Sequence, residues 1–293
     1  MFKKAKLALG LVCGLSSSLA FADFLPPNNL HLQDTILSSN VTEEEFDRAI
    51  ELVQDIYGPM IREVHGGRLN IRGSWSNNTV NANASQFFGT WSVNMYGGLA
   101  RRPEVTIDGF TLVICHEMGH HLGGYPFIAR WAANEGQSDY YTTQICAKML
   151  WADDIEKNAT FAENLDPFPK ELCDSTWDIQ ADRDLCYRSM AASKSLANLL
   201  ASLKEDEVAF DTPDLTVVEE MRDLHPEAQC RLDTYMAGAL CTADFDFEAI
   251  PGKDLGSRRN SAQAEEISRS NSCSRQDDYE IGVRPPCWFK SKL

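Results

Sequence analysis

Basic residues are scarce in this 293-residue chain: 27 Lys and Arg stand against 43 Asp and Glu, a net charge of −16. Such acidity favours solubility, tilts any substrate preference towards basic partners, and argues against nucleic acid, whose phosphates it would repel. Long apolar runs are scarce too. Beyond about Leu19 nothing approaches the ~20 consecutive apolar residues of a membrane span, so no integral membrane segment is expected there. Cys-x-x-Cys is absent although the chain has nine cysteines, which argues against a cysteine-rich zinc site. No internal repeat of roughly 20 to 50 residues occurs, which sets aside solenoids and propellers.

The first residues set the expected compartment. Lys3, Lys4 and Lys6 precede an apolar stretch from Leu7 to Leu19, and Ala20-Phe21-Ala22 fits the small-x-small rule for leader cleavage. Residues 1–22 therefore read as a signal peptide, with the mature chain starting at Asp23 and exported to the periplasm or the exterior. Val12 before Cys13 argues against a lipoprotein. Loss of the leader removes three Lys, no acids and Cys13, leaving 24 basic and 43 acidic side chains (net −19) and eight cysteines. An even number in an oxidising compartment suggests up to four disulfides. Proximity in sequence favours Cys173–Cys186, Cys230–Cys241 and Cys273–Cys287, with Cys115–Cys146 as the remaining pair.

Thr42-Glu43-Glu44-Glu45 reads as a capping box opening a helix, with Phe46, Ile50, Val53 and Tyr57 at helical spacing and a disturbance at Gly58-Pro59. The period then changes to two. Leu69, Ile71 and Trp75, then Val80, Ala82 and Ala84, then Trp91, Val93 and Met95 predict three short strands in an antiparallel sheet. From Thr106 the pattern is mostly helical: a motif-bearing helix ending at Gly123-Gly124, one from Asn134 to about Trp151, one between Trp177 and Leu203, and one through Arg231 to about Leu240. The expected fold is α+β, a mostly helical domain over residues 23–250 with a small sheet, followed by a loop-rich, disulfide-stapled extension over residues 251–293.

Residues 114 to 126 read ICHEMGHHLGGYP. On a helix His116 and His120, four residues apart, project from one face and can share a metal. Glu117, about 100° round the helix, falls beside that metal as a general base for metal-bound water. A third ligand is needed. The metzincin extension would place a histidine where Pro126 stands, and His121 points away from the shared face. Glu135 and Asp139 are again four residues apart on a predicted helix. Glu135 supplies the third ligand, and Asp139 can accept the second ring N–H of His116 and fix its tautomer.

His-Glu-x-x-His followed by Glu-x-x-x-Asp resembles the gluzincin metallopeptidases. His225-Pro226-Glu227-Ala228-Gln229-Cys230-Arg231 adds the His-Pro-x-x-x-x-Arg element of the HtpX and CAAX-prenyl-protease family and its soluble periplasmic relatives. The membrane helices of the integral members and any tetratricopeptide array are absent, and the fourteen residues between His120 and Glu135 make a short connection for that family. The resemblance covers residues 116 to 231. It implies a zincin-like fold, one Zn2+ held by His116, His120 and Glu135, and His225 with Arg231 over the metal, stabilising an oxyanion or covering the open position. The other reading of His225 is a His-Pro packed at a helix start. Zincins also run an edge strand beside the active helix to pair with substrate, which points to Asn94, Met95, Tyr96 and Gly97, unless that stretch is only a hairpin strand leading into a loop. The expected function is peptide-bond hydrolysis of a peptide or protein substrate. A zinc-loaded binding or quality-control protein, or an amidase acting on a non-protein envelope polymer, are the alternatives.

Overall fold

A computed structural model describes residues 21–33 and 40–293. The leader therefore lies outside the described residues, apart from Phe21 and Ala22. Among the described residues the fold is α+β, about half helical around one four-stranded sheet. The strands are β1 (Phe21–Asp23), β2 (Arg68–Ser74), β3 (Ala82–Phe87) and β4 (Thr90–Tyr96), in spatial order β1-β3-β4-β2. β3 pairs antiparallel with β1 and β4, but β2 lies parallel to β4. The sheet is thus mixed, which corrects the antiparallel expectation. Strand periodicity reports which face is buried and carries nothing about partner or direction.

Helix α1 (Glu43–His65) opens on the expected capping box. Glu45 N donates to Thr42 Oγ1 at 3.2 Å, and Thr42 N donates to Glu45 Oε2 at 2.9 Å. The helix runs on through Pro59 and stops only at Gly66, whose φ of 62° few other residues adopt readily. Tyr57, Met60 and Ile61 are buried on either side of the proline, so packing offsets the one backbone hydrogen bond that Pro59 cannot donate. The short α2 (Gly97–Ala100) follows β4, and α3 (Ile107–Leu122) starts at Thr106, whose hydroxyl caps Gly109 N at 3.1 Å. Of its sixteen residues all but Ile107 are buried. A helix enclosed on every side must satisfy each polar group internally.

Helix α4 (Glu135–Tyr141) is capped by Asn134, whose Oδ1 accepts from Gln137 N at 2.9 Å, and it continues through one π-helical segment (Thr142–Cys146) into α5 (Ala147–Trp151). Next come the short α6 (Ile155–Ala159) and α7 (Pro167–Thr176), then the long α8 (Gln180–Ser202) and α9 (Ala228–Leu240). The main core joins α1, the sheet, α3 and α8 through Phe46, Val93, Phe110 and Leu196; a second core lies among α7, α8 and α9.

Two disulfides match expectation, Cys115–Cys146 and Cys173–Cys186, whereas the other four cysteines pair as Cys230–Cys287 and Cys241–Cys273. The geometry of α9 explains the exchange. Cys230 and Cys241 sit at its two ends, about 16 Å apart at a helical rise of ~1.5 Å per residue, while a disulfide needs Cα atoms within ~7 Å. Each instead reaches into the segment after residue 251. That segment contains α10 (Ala262–Arg269) and 3₁₀ turns. It packs Trp288 directly onto Gly136, where a Cβ would lie 2.1 Å from the indole.

Candidate metal centre

Two helices build the site. α3 and α4 cross at Gly119, where a Cβ would come within 2.8 Å of the Ser138 backbone. That approach sets the first turn of α4 against the His-Glu-x-x-His face, and Cys115–Cys146 ties α3 to the π-helical segment behind it, with Cα atoms 5.7 Å apart. His116, His120 and Glu135 then converge, their ligand atoms all within 4.8 Å of one another. His116 Nε2 lies 3.3 Å from Glu135 Oε2, and His120 Nε2 lies 3.6 Å from Glu135 Oε1. Ligands ~2.0–2.1 Å from a tetrahedral zinc are about 3.3 Å apart, so the spacing suits one such ion.

The remaining hydrogen bonds fix which nitrogens face that ion. His116 Nδ1 lies 2.8 Å from Asp139 Oδ1, and a carboxylate only accepts, so Nδ1 carries the proton. His120 Nδ1 likewise donates to Ala133 O at 2.9 Å and to Ser138 Oγ at 2.9 Å, the Ser138 hydroxyl donating onward to Asn134 O. Both Nε2 atoms are left buried without a hydrogen-bond partner, as is Glu135 Oε2. Buried polar atoms without partners are rare in folded chains. Three of them converging at ligand spacing fit a bound cation.

Electrostatics act in the same sense. Burial lowers His120 to about 4, so it stays neutral and available as a ligand. Burial also works against charge on His116, but Asp139 and then Glu135 outweigh it and raise that imidazole to about 9, so a metal at Nε2 displaces a proton. Burial would raise Glu135, yet the imidazoles of His120 and His116 beside it leave it lowered. Asp139 is held well below the usual carboxylate range: burial opposes this, and Arg231 and His116 prevail. Glu117 is fully buried, neither carboxylate oxygen has a hydrogen-bond partner, and burial pushes it well above the ordinary glutamate value.

Arg231 is placed differently from expectation. On α9 its guanidinium grips Asp139 from behind, Nε to Oδ2 at 2.7 Å and Nη2 to Oδ1 at 2.7 Å, while Nη1 donates to Phe24 O at 2.8 Å. Tyr235, one turn further on, donates its hydroxyl to Asp139 Oδ1 at 2.6 Å. Arg231 therefore positions Asp139, and through it His116, rather than lying over the metal. His225 does reach the front of the site: Nε2 donates to Asp23 O at 2.8 Å and lies 3.5 Å from Glu135 Oε2. Burial lowers its pKa, leaving a neutral ring.

The expected substrate strand also needs correction. β4 is flanked by β3 and β2, so Asn94, Met95 and Tyr96 offer no free edge, and Gly97 is buried at the start of α2. Asn94 Nδ2 donates to Asn83 Oδ1 at 2.9 Å, and Asn83 Nδ2 donates to Tyr96 Oη at 3.1 Å, a polar ladder across β3 and β4. His121 is a packing residue, stacked on Trp91 with centroids 5.3 Å apart, and burial lowers it to about 3. Tyr235 carries a signal in its i,i+4 spacing to Arg231. The carbonyls of Ala133 and Phe24 have no side-chain signature to find. No family model, curated protein or solved structure matches the chain.

Proposed function

We propose that the chain is an exported zinc metalloendopeptidase of gluzincin type, acting on peptide or protein substrates. One observation carries the reading: three buried, unpartnered ligand atoms converge at zinc spacing, with the unpartnered Glu117 carboxylate on the helix that carries His116 and His120. His116, His120 and Glu135 would hold the ion, which when bound lowers the pKa of a water and polarises a carbonyl. Glu117 takes the proton of the attacking water as its oxygen adds to the peptide carbon, and then delivers that proton to the leaving amine. His225 presents a neutral Nε2–H at the front of the site and donates to the carbonyl oxygen as charge gathers there. Asp139, Arg231 and Tyr235 keep His116 in one tautomer throughout.

Export is part of the same proposal. Four disulfides among the described residues fit an oxidising, non-cytoplasmic compartment, and the small-x-small site before Asp23 supplies the leader. Glu117→Gln keeps the ligand set and removes the base. Metal content by mass spectrometry should stay at one zinc per chain, while cleavage of a proteome-derived peptide mixture falls ~10²–10⁴-fold. Equal cleavage by both proteins would overturn the mechanism.

A further inference from the structure

The strand next to α3 in the metal centre does not have a free edge. β3 is covered on its outer side by β1, only three residues long, with Phe21 opposite Ser85, Ala22 opposite Ala84 and Asp23 opposite Asn83. Phe24 N donates to Ala82 O at 3.1 Å, which puts positions 24 and 82 in hydrogen-bonding phase, although Ala82 N turns to Asn81 Oδ1. By the alternation of an antiparallel ladder the next such pair is Ala22–Ala84. The N–H and C=O of Ala84 therefore point outward to β1, and those of Asn83 and Ser85 inward to β4.

The same segment lies across the front of the metal centre. The Asp23 carbonyl takes the His225 Nε2–H, and the Phe24 carbonyl takes Arg231. The Phe24 ring stands edge-on to His116, centroids 5.2 Å apart at 77°. An extended backbone pairing with a strand beside the ligand helix, one carbonyl on the donor at the front of the site, is the arrangement of a bound peptide. Here the chain provides it from its own N-terminal end.

We propose that β1 holds the place of a peptide substrate, and that a cut between Ala22 and Asp23 vacates the two positions of it opposite Ala84 and Ser85. Building on the peptidase reading, this names the binding edge and the class of ligand. The cut leaves Asp23 and Phe24 on His225 and Arg231 but removes two of the three residues of β1. The outward N–H and C=O of Ala84 then lose their partners. An unpaired strand edge is a template for an incoming extended chain. The ligand is an unstructured polypeptide segment running antiparallel to β3. Ala22 is only 3% exposed and faces Ala84, itself fully buried, so the position opposite Ala84 takes a small side chain. Uncut, the chain is a self-occupied form.

Two chains carrying Glu117→Gln test this, residues 1–293 uncut and residues 23–293, both zinc-loaded. The probe is a fluorescein-labelled peptide with the sequence of residues 15–22, LSSSLAFA. Its affinity for the shorter chain should be at least about tenfold higher, and a version with Trp in place of the residue matching Ala22 should lose most of that gain. Hydrogen exchange gives a second readout that needs neither zinc nor turnover. The Ala84 amide should exchange at least about tenfold faster in the shorter chain, while those of Val93 and Met95 in β4 stay protected and show the sheet intact. Equal affinity for the two chains, or an Ala84 amide equally protected in both, overturns the proposal. Tighter binding to the shorter chain without any cleavage by its Glu117-containing form keeps the binding edge and overturns the peptidase reading instead.

Discussion

The rear and the front of the metal centre are built from different materials. Behind His116 stand Asp139, Arg231 and Tyr235, joined by side-chain hydrogen bonds of 2.6–2.8 Å and all fully buried. The Cys115–Cys146 bridge links α3 covalently to the segment after α4. In front, His225 is partly exposed and lies on no helix, and its hydrogen bond goes to a backbone carbonyl of the N-terminal segment. A rear held by buried charge and a covalent bridge keeps one geometry. A front held by backbone contacts can exchange one extended chain for another without disturbing the ligands. Under the proposed function, the difference separates holding the metal from receiving a substrate.

The largest effect is expected where the rear is cut. Arg231→Met leaves the Asp139 carboxylate buried without its cation, and breaking a buried pair from one side costs about 3–5 kcal/mol. Denaturant unfolding of the metal-free protein measures it. Zinc affinity should fall ~10–100-fold as well, since His116 loses its fixed partner. A loss under about 1 kcal/mol would show that the rear is no firmer than the front. Next in size comes the bridge. Cys115→Ala with Cys146→Ala opens a loop of sequence separation 31, worth about 3–4 kcal/mol on chain-entropy grounds. The three candidate ligands are untouched, so zinc stoichiometry should hold at one while the unfolding midpoint drops.

Much of the rear is legible in the sequence because it is written in helical spacing. His116 with His120, and Glu135 with Asp139, each recur after four residues, and a helix turns that interval into one face. Cys115 and Cys146 follow as the cysteines left unpaired by nearer neighbours. Where reasoning by proximity meets a helix it fails. A Cys230–Cys241 pair contradicts the α9 that the same sequence predicts, since a helix holds its two ends apart. Gly58-Pro59 suggests a disturbance only while local backbone preference is weighed without the buried Tyr57, Met60 and Ile61. The parallel pairing of β2 with β4 depends on contacts between distant segments. So does the position of β1, which covers the outer edge of β3. Arg231 is legible as a site residue but not as one behind His116, because a motif gives residue types and order without the direction from which α9 approaches.

The smallest and most discriminating prediction concerns the front. His225→Ala removes one N–H donor that is partly exposed and bonded only to the Asp23 carbonyl. No buried charge is left behind, and the released carbonyl can turn to water, so the unfolding midpoint should move by less than about 0.5 kcal/mol equivalent. Zinc content should stay at one per chain. If Nε2 donates to the carbonyl oxygen only as charge develops there, kcat and kcat/KM should fall together by ~10²–10³-fold with KM little changed. His225→Gln, which keeps an N–H on a shorter reach, should recover part of that loss. A fall in zinc content in step with activity would place His225 in the metal-holding set and erase the division between rear and front. A rise in KM alone would make it a binding contact. Only a loss confined to turnover, on an intact and metal-loaded fold, assigns the front to the reaction and the rear to the ion.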